Sequence, residues 1–222
     1  MSTTSTRPVS PAASGRSVSP ASTTLLLARH GQTVWHAENR YAGVSDVALT
    51  DTGREQAEAL GRWVAAHPVD AVWTSTVSRA ILSAEPACRT LGLTPHREPD
   101  LRECDFGTME GRTLAELAAR DPQAAAAFRA DPVAHHFPGA EDPRAAAARG
   151  TAALRRIAAA HPGERVLVVA HSTLLRLVLC SLLSIPVSEY RRVFPKLRNV
   201  AVSEIRLDGE SAALLSLNVP CS

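Results

Sequence analysis

The chain has 222 residues, 45% of them hydrophobic, so it is long enough to bury the core of one large domain. Its 24 lysines and arginines against 22 aspartates and glutamates give a net charge of +2, a balance that argues against a nucleic-acid partner. No apolar run approaches the roughly 20 residues that span a bilayer, so no membrane segment is predicted.

Residues 1–22 are rich in Ser, Thr, Pro and Ala and contain almost no large apolar side chain. Such a stretch cannot bury enough surface to offset its ordering entropy, so we predict a disordered tail followed by one domain over residues 23–222. The tail also lacks the apolar core of a secretory signal. The four cysteines form no Cys-x-x-Cys pair, which favours a reduced, cytoplasmic protein without a zinc or redox site.

The first part of the domain alternates short apolar runs with amphipathic segments. In chain order we predict a strand at Leu25–Ala28, a helix at Asp51–Ala66 capped by Thr50, a strand at Ala71–Thr74, a helix at Val77–Leu91 and a short strand at Pro95–Arg97. Strands that alternate with helices in this way are typical of an α/β domain with helices on both faces of its sheet.

The second part begins irregularly and then returns to the same alternation. We predict short helices at Thr113–Arg120 and Asp121–Ala130, a loop at Asp131–Pro143, a helix at Arg144–Ala160, a strand at Arg165–Ala170, a helix at Ser172–Leu183 and closing strands at Val200–Leu207 and Ala212–Leu217. The whole pattern predicts a three-layer α/β/α domain with a mostly parallel central sheet. Residues 104–143 form a small helical insertion, and such insertions often cap a site.

Two of the predicted strands end in chargeable side chains. The first strand runs into Arg29-His30-Gly31, and the most strongly apolar strand runs into His171. Arg79 follows a third strand, in the first turn of the next helix. Ligands collect beyond the carboxyl ends of strands in open α/β sheets, so these residues are expected to share one crevice. Two arginines and two imidazoles there favour a phosphoryl group.

Each of these residues also has an ordinary structural interpretation. A single histidine at a strand end is more often a hydrogen-bonded structural residue, and Arg79 alone is more often a cation on a helix surface. The tripeptide Arg-His-Gly is short enough to occur by chance. The combination, in which each member stands at a strand end or a helix start, favours a functional site.

Five motifs occur along the chain in a fixed order. They read RHGQTVWHAENRYAGVSDVALTDTGREQA at residues 29–57, STVSRA at 75–80, LRECDFGTMEG at 101–111, PGAED at 138–142 and VAHSTLLR at 169–176. In these motifs the chain resembles the histidine phosphatase superfamily, and within it the phosphoglycerate-mutase-like branch. The resemblance extends over about residues 24–207, which is nearly everything except the tail.

The resemblance implies a role for each residue that matches a motif. His30 matches the nucleophile that becomes a phosphohistidine, Arg29, Arg79 and His171 match the phosphate clamp, and Glu103 matches the general acid and base. The physical chemistry fits these roles, because nearby guanidinium charges lower the pKa of an imidazole and keep its lone pair free. Fixed arginines also stabilise a transferring phosphoryl group, so neither a metal nor another cofactor is expected.

Other positions match the superfamily less fully. The resemblance implies that Gln32, Arg40 and Ser172 line the phosphate pocket. Ser172 stands where relatives have glycine, Ala140 replaces the second glycine of the fourth motif, and His36 replaces the usual asparagine after tryptophan. An imidazole at that position can still donate a hydrogen bond, and its charge would vary with pH. Among the neighbouring carboxylates we rank Asp105 and Glu110 below Glu103, and we expect Glu110 to be structural.

The third motif favours a hydrolase, because it carries Cys104-Asp105-Phe106-Gly107 where the mutases of the superfamily carry a different run. We therefore predict a phosphatase that hydrolyses the phosphate monoester of a small molecule. Mutase-type phosphoryl transfer is one alternative, and a phosphate-binding or phosphoprotein-directed regulatory protein with weak catalysis is another. The resemblance also allows a homodimer, which the sequence does not distinguish from a monomer.

Overall fold

The computed structural model describes residues 21–221, and the tail predicted over residues 1–22 lies outside them except for its last two residues. The described range contains the strands β1 (Thr23–Arg29), β2 (Ala71–Thr74), β3 (His96–Arg97), β4 (Arg165–Ala170), β5 (Val202–Asp208) and β6 (Ser211–Val219). Its helices are α1 (Asp51–Ala66), α2 (Ser78–Leu91), α3 (Leu114–Arg120), α4 (Pro122–Ala130), α5 (Pro143–Ala160), α6 (Ser172–Leu182) and α7 (Tyr190–Val193).

The strands form one mixed sheet in the order β3-β2-β4-β1-β5-β6. The first four strands of that order run parallel, and β5 and β6 extend the sheet in antiparallel fashion. Within the pair formed by β1 and β4, Arg29 lies opposite Ala170. The next residues, His30 and His171, therefore leave the sheet side by side.

The helices cover both faces of the sheet. One face packs on α1 and α2 through a cluster that includes Leu26, Leu60 and Val169. The other face packs on α5 and α6 through a cluster that includes Leu27 and Leu154. Continuous apolar runs such as Val166–Ala170 are what a strand covered on both faces requires. The predicted three-layer α/β/α fold with a mostly parallel sheet is confirmed.

Local sequence explains most element boundaries. The hydroxyl of Thr50 accepts the Gly53 N–H and caps α1, as predicted. The helix predicted from Arg144 begins one residue earlier, because Pro143 suits a first turn and Asp142 caps it. The strand predicted from Val200 begins later, since Val200 has a φ of 61° and lies in a turn before β5.

Residues 104–143 hold α3 and α4 and have a small core of their own. That core contains Met109, Leu117, Ala125, Phe128 and Phe137. Tyr41 packs against it, with its ring 5.0 Å from that of Phe137, and so joins the insertion to the loop after β1. In the described part of the chain, no helix has the length and apolar character needed to cross a membrane.

Candidate active site

A cavity of about 370 Å³ opens beyond the carboxyl ends of β1 and β4. Its wall includes the side chains of Arg29, His30, Glu103, Arg176 and Arg191. This volume exceeds the needs of a phosphate group alone. The cavity lies where the strand ends predicted a ligand site.

His30 is held in one orientation by the backbone. Its Nδ1 lies 2.7 Å from the carbonyl oxygen of Gly31, and only a protonated Nδ1 can donate to that oxygen. The lone pair of the neutral ring is therefore on Nε2, which lies 3.3 Å from Nε of Arg79. Burial, and then the charges of Arg29 and Arg79, lower the pKa of His30 well below its usual range. The ring is neutral at pH 7, as a nucleophile requires.

Gly31 is required by close packing rather than by an unusual backbone angle. A Cβ at Gly31 would lie 2.5 Å from the carbonyl oxygen of Gly53, and a Cβ at Gly53 would collide with the carbonyl oxygen of Gln32. The loop that carries His30 therefore lies directly on the first turn of α1. This contact explains why a glycine occurs in each of two distant parts of the first motif.

Arg79 is fully buried in the first turn of α2. Its Nη1 donates to the carbonyl of Ser45 at 2.9 Å, and its Nη2 donates to the carbonyls of Ala42 and Gly43 at 3.0 and 2.7 Å. These bonds offset part of the cost of burying a guanidinium. They also aim Nε at Nε2 of His30, and Arg79 is not among the residues that line the open cavity.

His171 is also fully buried, and its ring centroid lies 5.2 Å from that of His30. Its Nε2 lies 2.8 Å from the hydroxyl of Ser75, at the end of β2. Burial, followed by the charge of Arg79, lowers the pKa of His171 well below its usual range. The structure thus brings together both histidines and the loops that follow all three predicted strand ends.

Arg29 completes the charged side of the cavity. Its Nη1 donates to the carbonyl of Leu197 at 3.0 Å, and its Nη2 lies 2.6 Å from Nε2 of His36. Because a guanidinium only donates, Nε2 is the acceptor, so Nδ1 carries the ring proton and donates to the Thr33 hydroxyl oxygen at 2.8 Å. Burial, together with the charge of Arg29, lowers the pKa of His36 to about 4. The imidazole that replaces the usual asparagine is therefore neutral at pH 7 and orients Arg29.

Two nitrogens of the site have no hydrogen-bond partner among residues 21–221. They are Nε of Arg29 and Nδ1 of His171, and both are buried. Buried polar atoms are normally paired, and an unpaired one costs about 1–3 kcal/mol. Nε of Arg29 always carries a proton and is a free donor, whereas Nδ1 of His171 is a donor only in the tautomer that carries the proton there.

Glu103 is 4% exposed on the cavity wall. Its Oε1 accepts the N–H groups of Cys104 and Leu174 at 3.0 and 2.8 Å, and its Oε2 accepts the Thr173 N–H at 2.9 Å. The carboxylate therefore caps the amino terminus of α6. Arg149 holds this segment in place by donating to the carbonyl of Glu103 at 3.2 Å and to that of the preceding Arg102 at 2.9 Å.

The three residues predicted to line the phosphate pocket have different positions. Ser172 lies on the cavity wall at the start of α6. Arg40 also lies on the wall, but it forms ion pairs with Glu38 and Glu116. Gln32 is not part of the wall, because its Oε1 accepts the hydroxyl of Thr50 at 2.9 Å. The geometry gives no support for phosphate binding by Gln32.

The neighbouring carboxylates have structural contacts. Glu110 accepts the N–H of Gly43 at 2.9 Å and the hydroxyl of Ser45 at 2.5 Å, so it fixes the loop whose carbonyls hold Arg79. Asp105 accepts the Gly107 N–H at 2.8 Å. Among residues 21–221, no group of three or more histidine, cysteine, aspartate or glutamate side chains is arranged to hold a metal ion.

Sequence reasoning missed three residues of the site. Arg176 and Arg191 lie on the cavity wall, and the amide of Asn199 donates to the carbonyl of His30 at 2.8 Å. Arg176 closes the motif VAHSTLLR and could have been found there. Arg191 and Asn199 belong to no motif, and only the folding of residues after α6 back over the cavity brings them to it.

Proteins of known sequence resemble the chain over most of its length. It is 34% identical over 209 residues to the bifunctional protein Rv2228c of Mycobacterium tuberculosis, which covers 94% of this chain and 57% of that protein. The chain thus spans little more than half of that relative. It is 34% identical to phosphoglycerate mutase-like protein 4 of Arabidopsis thaliana, with 84% and 80% covered, and 25% identical to phosphoserine phosphatase 1 of Hydrogenobacter thermophilus, with 89% and 92% covered.

Solved structures share the fold. YhfR of Bacillus stearothermophilus matches with a TM-score of 0.83 and 30% identity, covering 89% of this chain and 97% of that one. A mycobacterial glucosyl-3-phosphoglycerate phosphatase matches with a TM-score of 0.80 and 25% identity, covering 89% and 99%. The family model of the histidine phosphatase superfamily, branch 1, matches residues 25–220, and the chain belongs to this superfamily.

Proposed function

We propose that the protein hydrolyses the phosphate monoester of a small molecule through a phosphohistidine at His30. The observation that carries the proposal is the neutral Nε2 of His30 beside the buried guanidinium of Arg79, with unpartnered nitrogens on Arg29 and His171 nearby. A lone pair on His30 thus adjoins the fixed positive charge of Arg79, and Arg29 adds a free N–H donor to the same site. Such a site suits in-line attack on phosphorus.

The reaction has two steps. In the first, the Nε2 lone pair of His30 leaves Nε of Arg79 and forms a bond to phosphorus, while the P–O ester bond breaks. The leaving oxygen takes a proton that Glu103 carries on Oε2, the oxygen with a single backbone partner. In the second, a water molecule attacks the phosphohistidine and gives its proton to Glu103. Phosphate and the alcohol are released, and both residues return to their starting state. Arg29 and Arg79 stabilise the charge on the phosphoryl oxygens in both steps.

The experiment is turnover of p-nitrophenyl phosphate with and without EDTA, by the wild type and by His30→Ala. We expect turnover that chelation leaves unchanged and that His30→Ala lowers by about 10⁴-fold or more. Brief reaction with ³²P-labelled substrate should trap an acid-labile adduct on His30. Turnover of no monoester, or an adduct on another residue, would overturn the proposal.

Phosphoryl transfer of the mutase type is the second candidate, because curated relatives include a probable phosphoglycerate mutase of Erwinia tasmaniensis at 31% identity. Incubation with 3-phosphoglycerate separates the two reactions. We expect release of inorganic phosphate, whereas formation of the 2-phospho isomer without phosphate release would establish the mutase.

A further inference from the structure

Two arginines on the cavity wall have no carboxylate partner in the described part of the chain. Arg176 lies on α6 and Arg191 on α7, and both side chains are partly exposed to the cavity. Neither guanidinium has a carboxylate oxygen within 4.0 Å among residues 21–221. Arg40, on the same wall, is paired with Glu38 and Glu116. The cavity therefore holds positive charge that the described protein does not neutralise by direct pairing.

Aromatic rings hold both guanidinium groups in place. Arg176 lies over the ring of Tyr190, with Cζ 5.0 Å from its centroid. Arg191 contacts two rings, since its Cζ lies 4.6 Å from the centroid of Phe128 and 5.6 Å from that of Tyr190. Stacking fixes the plane of an arginine and leaves its edge free for hydrogen bonds. These side chains are thus ordered before any ligand binds.

The remaining hydrogen bonds occupy few of the available donors. Nε of Arg191 donates to the hydroxyl of Tyr190 at 2.9 Å. In Arg176, Nε donates to the carbonyl of Ser172 at 3.2 Å, and Nη1 makes a long contact of 3.4 Å to the carbonyl of Phe194. Arginine has five N–H donors, so each side chain keeps several for a ligand.

Both arginines share the cavity wall with Arg29 and His30. Arg29 already has partners, since its Nη1 donates to a backbone carbonyl and its Nη2 donates to His36. The cavity of about 370 Å³ is larger than a phosphate group alone requires. A phosphate bound at His30 would therefore leave space in the same cavity for a second group beside Arg176 and Arg191.

We propose that Arg176 and Arg191 bind a second anionic group, a carboxylate or a phosphate, carried by the alcohol part of the substrate. This inference rests on the proposed function, because it needs a phosphate ester bound at His30. The substrate class is then a phosphate monoester of an acidic alcohol. Phe128 of the cap insertion contributes by holding Arg191 over the cavity.

The test compares three esters of similar size: 3-hydroxypropyl phosphate, 2-carboxyethyl phosphate and 1,3-propanediol bisphosphate. The wild type should favour one or both acidic esters over the neutral one by about 10-fold or more in kcat/KM, and the better ester identifies the second group. Arg191→Gln should lower kcat/KM for that ester by about 10- to 100-fold and change the neutral ester by less than about 3-fold. Inhibition by inorganic phosphate should stay unchanged.

Arg192→Gln is the matched control, because Arg192 lies next in the same short helix, is exposed and pairs with Glu189. It should leave all three rates unchanged. Arg191→Lys keeps a charge at the site and should restore part of the preference, which also guards against misfolding of the glutamine variant.

The outcomes separate the two proposals. If the wild type hydrolyses the neutral ester but shows no preference for an acidic one, the second anion site is wrong and the proposed function stands. Equal losses on neutral and acidic esters in Arg191→Gln would also overturn the site. If no ester is hydrolysed at all, the proposed function fails and the inference fails with it.

Discussion

The cavity has two walls that are built differently. The inner wall consists of His30 together with Arg79 and His171, which are packed beneath the cavity surface; all three are at most 5% exposed and follow strand ends or begin a helix. The outer wall consists of Arg176 and Arg191. The ring of Tyr190 holds the first and the ring of Phe128 holds the second. The comparison teaches that the ends of the sheet strands fix the inner groups, which suit the reaction. The outer groups lie on helices beyond the sheet and can select a substrate.

The physical reason lies in what each wall is anchored to. Arg79 donates to three backbone carbonyls, and His30 donates to a fourth, so neither can move without breaking buried hydrogen bonds. The position of the Arg191 guanidinium depends on stacking against Phe128 and Tyr190, and stacking is less directional than a hydrogen bond. Substitutions in the inner wall should therefore affect every substrate, and those in the outer wall should affect substrates selectively.

After His30→Ala, the largest effect is expected for Arg79→Met. Loss of the guanidinium removes fixed charge from the phosphate clamp, and kcat/KM should fall by about 10³-fold for neutral and acidic esters alike. Because the Arg79 charge lowers the pKa of His30, its loss should raise that pKa. The acid limb of the pH profile of kcat/KM should then move to higher pH. A loss confined to acidic esters would contradict the assignment of Arg79 to the inner wall.

Glu103→Gln should have the next largest effect, and Glu103 also lines the cavity. An amide cannot donate the proton that an alkoxide needs, so hydrolysis of 3-hydroxypropyl phosphate should slow by about 10²-fold. Hydrolysis of p-nitrophenyl phosphate should slow much less, because nitrophenolate hardly needs a proton. Steady-state rates on the two substrates measure this difference. Equal losses on both would show that Glu103 acts only by capping α6.

Glu110→Gln tests whether the inner wall depends on contacts made outside it. The carboxylate holds Gly43 and Ser45, whose carbonyls hold Arg79, so we expect a loss of about 10-fold in kcat on every ester. The unfolding free energy should fall by about 1–3 kcal/mol in urea titrations. Normal turnover at unchanged stability would mean that this loop does not position Arg79.

The smallest effect on rate is expected for His36→Asn. An amide oxygen can accept from Arg29 as the neutral imidazole does, so turnover at pH 7 should change by less than about 3-fold. Stability should respond more clearly. The pKa of His36 is about 4 in the folded chain and about 6.5 when unfolded, so its contribution is complete above pH 6.5 and is lost as the pH falls towards 4.

Urea unfolding at about pH 7 and pH 5 measures this contribution. The wild type should lose stability between the two, because the unfolded imidazole binds a proton that the folded one does not. His36→Asn should lose less. His30 and His171 have lowered pKa values as well, so the variant keeps part of the dependence. An identical fall in both proteins would show that His36 is not held neutral.

The sequence predicted the site best where the order of strands and the residues at their ends were enough to locate a side chain. The strand ends at His30 and His171 were predicted as partners, and the register that places Arg29 opposite Ala170 brings them together. The lowered pKa of His30 was predicted from nearby arginines, whereas burial is its larger cause. Burial depends on residues far apart in the chain, so a local pattern could not reveal it.

By itself the sequence determined the α/β alternation, the family and the position of the histidine that we propose as the nucleophile, because apolar periodicity and motif order are properties of neighbouring residues. Only the tertiary structure decided which guanidinium groups are paired with protein carboxylates or carbonyls and which have no carboxylate partner. Arg40 is paired with carboxylates, Arg79 is buried against carbonyls, and Arg191 faces the cavity unpaired with any carboxylate of residues 21–221. The reason is physical: an arginine's role depends on the groups that long-range packing brings to its guanidinium.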